Sequence, residues 1–289
     1  MLLSQFIKDA IAALGAVYSA REARAVADAL CEDLLGFERH SYLLNPSLEL
    51  SASEEMLLSQ ALKRLLGGEP LQYVTGKAWF RGRAFRVGSG VLIPRPETEM
   101  IVEAVVSRFE GRGPRILDLC TGSGCIAWSL AFELPGAELV GVDISDDALN
   151  IASTQTFSSP SGAFRAPSFV KADILSDDFL SAFPPASFDV IVSNPPYIME
   201  SQKKDMDRNV LDFEPGLALF VPDSDPLVFY RAIARAAARL LRPGGLGAVE
   251  INEDLGRETL SVFTDAGFTN VSLHSDFLGK PRLILFSEE

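Results

Sequence analysis

After Gly113 the chain alternates apolar, strand-like runs with helical runs, and this alternation constrains the fold more than any other feature. The strand-like runs are Arg115 to Leu119, Glu138 to Asp143, Phe169 to Ala172, Phe188 to Ser193, Leu246 to Ile251, Val271 to Asp276 and Arg282 to Ser287. Strands that alternate with helices predict an α/β fold with a mainly parallel, doubly wound sheet. Only Phe277 to Pro281 separates the last two runs, which is too short for a crossover, so these two strands are predicted to pair antiparallel.

Helices and loops are predicted between these strands. The helical patterns cover Pro96 to Phe109, a run that begins at Cys125, Ser145 to Thr156 with Ser145 as the cap, Leu227 to Leu241, and Asp254 to Ala266. Two segments look irregular: Phe157 to Ser168 is rich in Ser, Pro and Gly, and Glu200 to Asp225 is rich in charge.

The N-terminal part follows a helical pattern throughout. One of its helices is predicted to begin with a capping box formed by Ser51 and Glu54, and to end at Gly67 and Gly68. Short alternating runs around Arg81-Gly82-Arg83 then predict a β-hairpin. The predicted domains are a small helical bundle over residues 1–75, a hairpin linker over residues 76–93 and the sheet domain over residues 94–289.

Composition limits the partners. The net charge is −13 and the sequence pI is near 4.7, so the surface repels phosphate backbones, and no direct nucleic-acid partner is expected. Cys31, Cys120 and Cys125 are scattered, which suits a reducing compartment. His40 and His274 are not in a cluster with ligand spacing, so no metal is expected. Without a basic leader or a run long enough to span a membrane, we expect a cytoplasmic monomer with no membrane partner.

The first strand of the sheet domain runs into a glycine turn that precedes a helix. The turn consists of Cys120, Thr121, Gly122, Ser123 and Gly124. Glycines allow a ligand to approach the backbone, and the N-terminus of the following helix offers free N–H groups. This turn is therefore predicted to bind a nucleoside cofactor.

Acidic residues follow the next two strands. Asp143 ends the second strand, where its carboxylate can accept both hydroxyls of a ribose. Asp173 follows the third strand and is placed to meet an adenine amino group. Gly122-x-Gly124-x-x-Ala127 with Asp143 also fits the dinucleotide fingerprint, so an NAD-dependent dehydrogenase and a non-catalytic nucleoside-binding module both remain open.

Asn194-Pro195-Pro196-Tyr197 directly follows the fourth strand, where open α/β sheets bind ligands. The two prolines restrict the backbone, so the Asn194 carboxamide and the Pro195 carbonyl become fixed acceptors for one planar NH2 group. Tyr197 supplies a flat face on which that group can lie. The alternative is an ordinary turn, because Asn-Pro and Pro-Pro are common in loops.

A pair of acceptors for an NH2 group favours methyl transfer over hydride transfer. An amide nitrogen is a poor nucleophile, and acceptors for its two hydrogens orient it and raise its electron density. Asn194 and Pro195 are therefore the predicted catalytic residues, with Pro196 and Tyr197 completing the substrate site.

Nearly the whole chain resembles one family, the peptide chain release factor glutamine methyltransferases, also called the PrmC or HemK family. The resemblance is carried by Gly68 to Gly76, Leu92 to Glu99, Asp118 to Gly124, Ser193 to Ile198, Glu214-Pro215 and Ala218-Leu219. It implies a Rossmann-like, seven-stranded class I methyltransferase sheet. The implied reaction moves a methyl group from S-adenosylmethionine, with S-adenosylhomocysteine as product, to the glutamine of the Gly-Gly-Gln loop of release factors.

The resemblance also implies roles for individual residues. Thr121 to Gly124 would hold the methionine part of the cofactor, with Asp143 on the ribose and Asp173 and Ile174 beside the adenine. Asn194 to Tyr197 would hold the glutamine, and the N-terminal bundle would help to dock the release factor. Because Asn-Pro-Pro-Tyr is shared with enzymes that methylate adenine or guanine amino groups, methylation of DNA or RNA stays as the main alternative.

Cys120 stands where the family usually has glycine, and a cysteine's preference for negative φ predicts a slightly altered turn and a thiol that acts as a small core residue. Arg95 and Thr98 lie near the cofactor pocket in such enzymes, but in this sequence a helix cap explains them equally well.

Overall fold

The structure, a computed structural model, describes residues 1–37, 41–157 and 164–288. Contacts within the chain divide it into two compact units: Met1–Lys77 with Asp207–Phe213, and Ala78–Met206 with Glu214–Glu289. Whether residues 1–75, 76–93 and 94–289 act as separate functional domains stays a prediction. No helix in the described part of the chain is both long and apolar enough to cross a bilayer.

Helices form the N-terminal part of the first unit. In the described residues they are α1 (Leu3–Leu14), α2 (Ala20–Leu35), α3 (Ser41–Leu44), α4 (Ala52–Leu66) and α5 (Leu71–Thr75). The predicted capping box is confirmed, because the Ser51 hydroxyl accepts the Glu54 N–H while the Glu54 carboxylate accepts the Ser51 N–H. A core that includes the fully buried Leu30 and Leu58 holds α1, α2, α4 and α5 together.

A short hairpin follows. Strands β1 (Lys77–Phe80) and β2 (Arg83–Arg86) pair with each other in a two-stranded sheet. Between them, Arg81 and Gly82 have φ values of 49° and 71°. Two consecutive residues with positive φ are typical of tight hairpin turns, so the hairpin predicted here is confirmed.

Seven strands of the second unit form its main sheet, in the order β10-β11-β9-β6-β3-β4-β5. Within the described residues, the strands after the hairpin are β3 (Arg115–Leu119), β4 (Glu138–Asp143), β5 (Ser168–Lys171), β6 (Phe188–Ser193), β7 (Ile198–Met199), β8 (Phe220–Val221), β9 (Leu241–Glu250), β10 (Asn270–Ser275) and β11 (Pro281–Ser287). Strand β11 runs antiparallel to both β10 and β9, whereas the pairs from β9 to β5 are parallel. The predicted seven-stranded, mostly parallel sheet with an antiparallel last pair is therefore confirmed.

Helices pack on both faces of this sheet. In the described part of the second unit the helices are α6 (Glu99–Phe109), α7 (Cys125–Glu133), α8 (Asp146–Ser153), α10 (Gly216–Leu219), α11 (Val228–Leu240) and α12 (Gly256–Asp265), while α9 (Arg208–Phe213) belongs to the first unit. Successive residues of a strand point to opposite faces. Ile116 of β3 accordingly packs into a core with α6 and α7, while the adjacent Leu117 packs into a second core with α11 and α12.

The expectation that Glu200 to Asp225 is irregular is wrong. A 3-10 helix at Glu200–Asp205, the short helices α9 and α10, and strand β8 all lie in this segment. These elements are too short to establish a hydrophobic period, so the charged composition of the segment predicted an irregular structure instead. Strand β9 also begins at Leu241 rather than at the predicted Leu246. For the segment Phe157 to Ser168, residues 158–163 lie outside the described residues.

Candidate active site

A cleft lies where the parallel strands β3, β4, β5 and β6 end, and it encloses about 950 Å³ of empty space, part of which is open to solvent. The predicted site residues that line the cleft are Cys120, Thr121, Gly122, Ser123, Asp143, Asp173, Ile174, Asn194 and Pro196. Gly124, Pro195 and Tyr197 lie in the same segments but are not among the lining residues. Because Leu119 pairs with both Val142 and Ser193, the glycine turn and the Asn194 segment leave neighbouring strands side by side.

The glycine turn has left-handed backbone at alternate residues. The φ values of Cys120, Gly122 and Gly124 are 58°, 55° and 77°. The expectation that Cys120 alters the turn through a preference for negative φ is therefore wrong, because the cysteine adopts the left-handed conformation and bears its strain. Burial raises the pKa of its thiol, and the side chain packs against the core that contains α11 and α12, as expected of a small core residue.

We expect replacement of Cys120 by glycine to change the free energy of unfolding by less than about 1 kcal/mol, because relief of the left-handed strain offsets the lost side-chain burial. Cys125→Gly is the matched control, since Cys125 is buried in the first turn of helix α7. It loses burial and helix propensity with no strain to relieve, so we expect a cost of about 2 kcal/mol. Urea unfolding of both variants measures the difference, and equal costs would contradict the assignment of strain to Cys120.

Gly122 and Gly124 serve the turn in different ways. The Gly122 N–H donates to the Asp143 carboxylate at 2.9 Å, which ties the turn to the end of β4. A Cβ on Gly124 would lie 3.0 Å from the Trp128 ring and 3.1 Å from the Phe169 ring, so glycine is needed there for close packing. Gly124 thus supports the turn by packing against these two rings and does not line the cleft.

Two acidic residues lie where the sequence places the nucleoside. The two oxygens of Asp143 accept the Gly122 and Ser145 N–H groups, and burial raises the pKa of this carboxyl. Each oxygen retains a lone pair that can accept a ribose hydroxyl. Asp173 is exposed and accepts the Leu175 N–H at 2.8 Å, while the neighbouring Ile174 is only 5% exposed and offers an apolar wall.

Asp118 supports the glycine turn, a role that the sequence pattern did not reveal. It is fully buried at the end of β3, and its carboxylate accepts the Thr121 hydroxyl at 2.6 Å. Burial raises the pKa of Asp118 to about 7, although the hydrogen bond from Thr121 opposes this shift. The sequence signals for it are an acid between two apolar strand residues, Leu117 and Leu119, and its place in the segment Asp118 to Gly124 that carries the family resemblance.

Asn194 belongs to a chain of hydrogen-bonded side chains. Its Nδ2 donates to the Thr98 hydroxyl at 3.1 Å, and that hydroxyl donates to Glu250 Oε2 at 2.6 Å. The Tyr197 hydroxyl donates to Glu250 Oε1 at 3.0 Å. Thr98 makes no side-chain cap to helix α6, so the helix-cap interpretation of this residue is wrong.

Glu250 is another buried acid that the sequence pattern did not assign to the site. It ends β9, is 2% exposed, and has a pKa raised by burial despite the hydrogen bonds from Thr98 and Tyr197. An acid near the end of the apolar run from Leu246 to Ile251 was the available signal. Its partners are far away in sequence, so local patterns could not identify them.

Arg95 fixes the segment before Thr98 through a second buried acid. Its guanidinium donates to Glu214 Oε1 at 2.5 Å, and the Ile93 N–H donates to Oε2 of the same carboxylate at 3.1 Å. The Glu214 side chain is only 1% exposed. This pairing, rather than a helix cap, explains Arg95.

Metal ligands are not grouped in the described residues, where no three His, Cys, Asp or Glu side chains come together in a way that could hold an ion. Of the two histidines, His40 lies outside the described residues. His274 contacts Ser272 on the exposed surface of strand β10.

Residues 5–76 match the PrmC N-terminal domain, and residues 96–212 match the methyltransferase small domain. The chain is 41% identical over 268 residues to a release factor glutamine methyltransferase of Bacteroides thetaiotaomicron, covering 93% of this chain and 94% of that one. It is 36% identical over 288 residues to one from Flavobacterium psychrophilum, covering 98% of each chain. A solved release-factor-specific protein-(glutamine-N5) methyltransferase from Alicyclobacillus acidocaldarius is 27% identical, covers 71% of this chain and 99% of its own, and has a TM-score of 0.42. The two full-length relatives show that the chain belongs to the release factor glutamine methyltransferase family.

Proposed function

We propose that this protein transfers a methyl group from S-adenosylmethionine to the side-chain amide nitrogen of the glutamine in the Gly-Gly-Gln motif of peptide chain release factors. One observation carries the proposal beyond family membership. Asn194 lines the same cleft as the glycine turn and Asp143, so an acceptor for an amide NH2 group faces the nucleoside pocket.

The cleft suits the cofactor at each of its parts. Ile174 provides an apolar surface for adenine beside the exposed Asp173. Asp143 retains acceptor capacity for the ribose hydroxyls, and the turn from Thr121 to Gly124 presents backbone to the amino-acid part. When bound, S-adenosylmethionine supplies an electrophilic methyl group on its sulfonium sulfur.

The residues at the end of β6 supply the acceptor side of the reaction. In this proposal Asn194 Oδ1 and the Pro195 carbonyl accept the two hydrogens of a glutamine side-chain amide. These contacts orient the nitrogen toward the methyl group and increase its electron density, which lowers the barrier to transfer. Tyr197 is fixed through its hydroxyl to Glu250, and stacking of the amide on its ring remains part of the proposal.

The rest of the chain fits a protein substrate. The net charge of −13 favours approach of a basic release-factor loop over a nucleic acid. In this proposal the helical N-terminal bundle helps to dock the release factor, and the enzyme acts as a cytoplasmic monomer without membrane or direct nucleic-acid partners.

The test is transfer of labelled methyl from S-adenosylmethionine to a purified release factor, with the labelled residue located by mass spectrometry. We expect one added methyl on the glutamine of the Gly-Gly-Gln motif. The control is the same release factor with that glutamine replaced by alanine, which should stay unlabelled. Label on DNA or ribosomal RNA with the release factor untouched would favour nucleobase methylation instead. Tight NAD binding without S-adenosylmethionine binding would support a dehydrogenase.

A further inference from the structure

The hydrogen bonds that join Asn194, Thr98 and Glu250 all run in one direction. We propose that Thr98 and Glu250 are positioning residues that hold the Asn194 carboxamide with its Oδ1 toward the substrate and its NH2 group away from it. This inference rests on the proposed function, because it assigns the orientation of the group that receives the substrate amide.

The direction starts at Glu250. The two oxygens of Glu250 receive the hydroxyls of Thr98 and Tyr197 at 2.6 and 3.0 Å, which is the direction that an ionised carboxylate, an acceptor only, requires. The carboxylate is 2% exposed, which limits the access of water to these oxygens. The hydroxyls of Thr98 and Tyr197 therefore both act as donors to Glu250.

Thr98 passes this direction on to Asn194. A hydroxyl has one hydrogen, and that of Thr98 goes to Glu250, so its oxygen can only accept the next hydrogen bond. Asn194 Nδ2 supplies it at 3.1 Å. Among residues 1–37, 41–157 and 164–288, no group donates a hydrogen bond to Asn194 Oδ1, which is left for a ligand of the cleft.

Without the hydrogen bond to Thr98, the Asn194 carboxamide has two orientations of similar shape, in which the acceptor oxygen and the donor NH2 group exchange places. With Oδ1 outward it accepts a hydrogen from the substrate NH2 group, whereas with Nδ2 outward two donors face each other. A fixed orientation avoids the cost of reorganising the site at the moment of reaction. Thr98 and Glu250 thereby select for an acceptor nitrogen that carries hydrogens.

The sheet register brings these distant residues together. Ser193 of β6 pairs with Val249 of β9, so the residues that follow them, Asn194 and Glu250, leave neighbouring strands at the same edge. Thr98 ends the 3-10 helix Pro96–Thr98, where its hydroxyl is free to bridge them because it makes no helix cap. It is 2% exposed, so the bridge is shielded from solvent.

The experiment compares Thr98→Val, which keeps the side-chain shape without the hydroxyl, with Thr98→Ser, which keeps the hydroxyl. We expect Thr98→Val to lower kcat for release-factor methylation by about 10- to 100-fold, with KM for S-adenosylmethionine changed by less than about twofold. Thr98→Ser should recover most of the loss. Glu250→Gln should also lower kcat, because a glutamine NH2 group can donate to the Thr98 oxygen and displace Asn194 from it.

A second measurement does not depend on activity. The NMR signals of the Asn194 side-chain NH2, assigned by their absence in Asn194→Ala, should be protected from solvent exchange in the wild type and in Thr98→Ser, and should lose about tenfold or more of that protection in Thr98→Val. The inference would be overturned if Thr98→Val kept the wild-type exchange protection and the wild-type kcat. It would also be overturned if Thr98→Ser were as slow as Thr98→Val. A wild-type protein that fails to methylate the release factor would refute the proposed function, while the exchange measurement would still decide the role of Thr98.

Discussion

Alanine in place of Asn194 is expected to lower the rate of release-factor methylation by about 100- to 1,000-fold, the range seen when one preorganised hydrogen-bonding group is removed from an active site. The variant loses the carboxamide oxygen that accepts a hydrogen bond from the substrate amide. The Thr98 hydroxyl oxygen also loses the hydrogen bond that it accepts from Asn194 Nδ2. Affinity for S-adenosylmethionine should change by less than about threefold, because the glycine turn and Asp143 remain intact.

Single-turnover methylation and calorimetry with the cofactor separate these two effects. Asn270→Ala is the matched control, since Asn270 is an exposed asparagine on β10 outside the cleft. It should methylate at the wild-type rate. An Asn194→Ala enzyme that retains most of its rate, or that loses cofactor affinity as strongly as it loses rate, would refute the assignment of Asn194 to the acceptor side of the reaction.

Replacing Asp143 by alanine should raise the dissociation constant for S-adenosylmethionine by about 100-fold, because hydrogen bonds from the ribose hydroxyls to a partly buried carboxylate are lost. The same change leaves the Gly122 and Ser145 N–H groups without their acceptor, which loosens the turn that faces the cofactor. Asp177→Ala is the control, because its side chain is fully exposed.

The affinity should also depend on pH, with a definite sign. Burial raises the pKa of Asp143, and only the ionised form can accept at both oxygens. Cofactor binding should therefore be strong above this raised pKa and weaken as the pH falls through it. Calorimetry between pH 7 and pH 4 measures the trend. If Asp143→Ala bound S-adenosylmethionine as tightly as the wild type does, Asp143 would not be the residue that binds the ribose.

The fold was largely predictable because its signals are local. Strand-length apolar runs separated by helical patterns lead to a parallel sheet, and the short connection after Phe277 requires an antiparallel last pair. The segment from Glu200 to Asp225 was predicted incorrectly for the same reason, since helices of four to six residues are too short for a hydrophobic period.

The chemistry of single positions was less predictable than the fold. A cysteine at position 120 argued for a changed turn, yet the contacts around the cleft impose a φ of 58° on it. The turn is over-determined by its neighbours, including the Gly122 bond to Asp143, so it tolerates the strain of one residue.

The sequence by itself determined the seven strands of the main sheet and the longer helices between them, the glycine turn, the acids at the strand ends and the placement of Asn194 directly after strand β6. Only the tertiary structure decided how Asn194 is held. Thr98 lies 96 residues from Asn194 and 152 from Glu250, so the hydrogen bonds among them arise from sheet register and packing. Local patterns do not encode such contacts, because a side chain's partner across neighbouring strands depends on how the whole sheet is assembled.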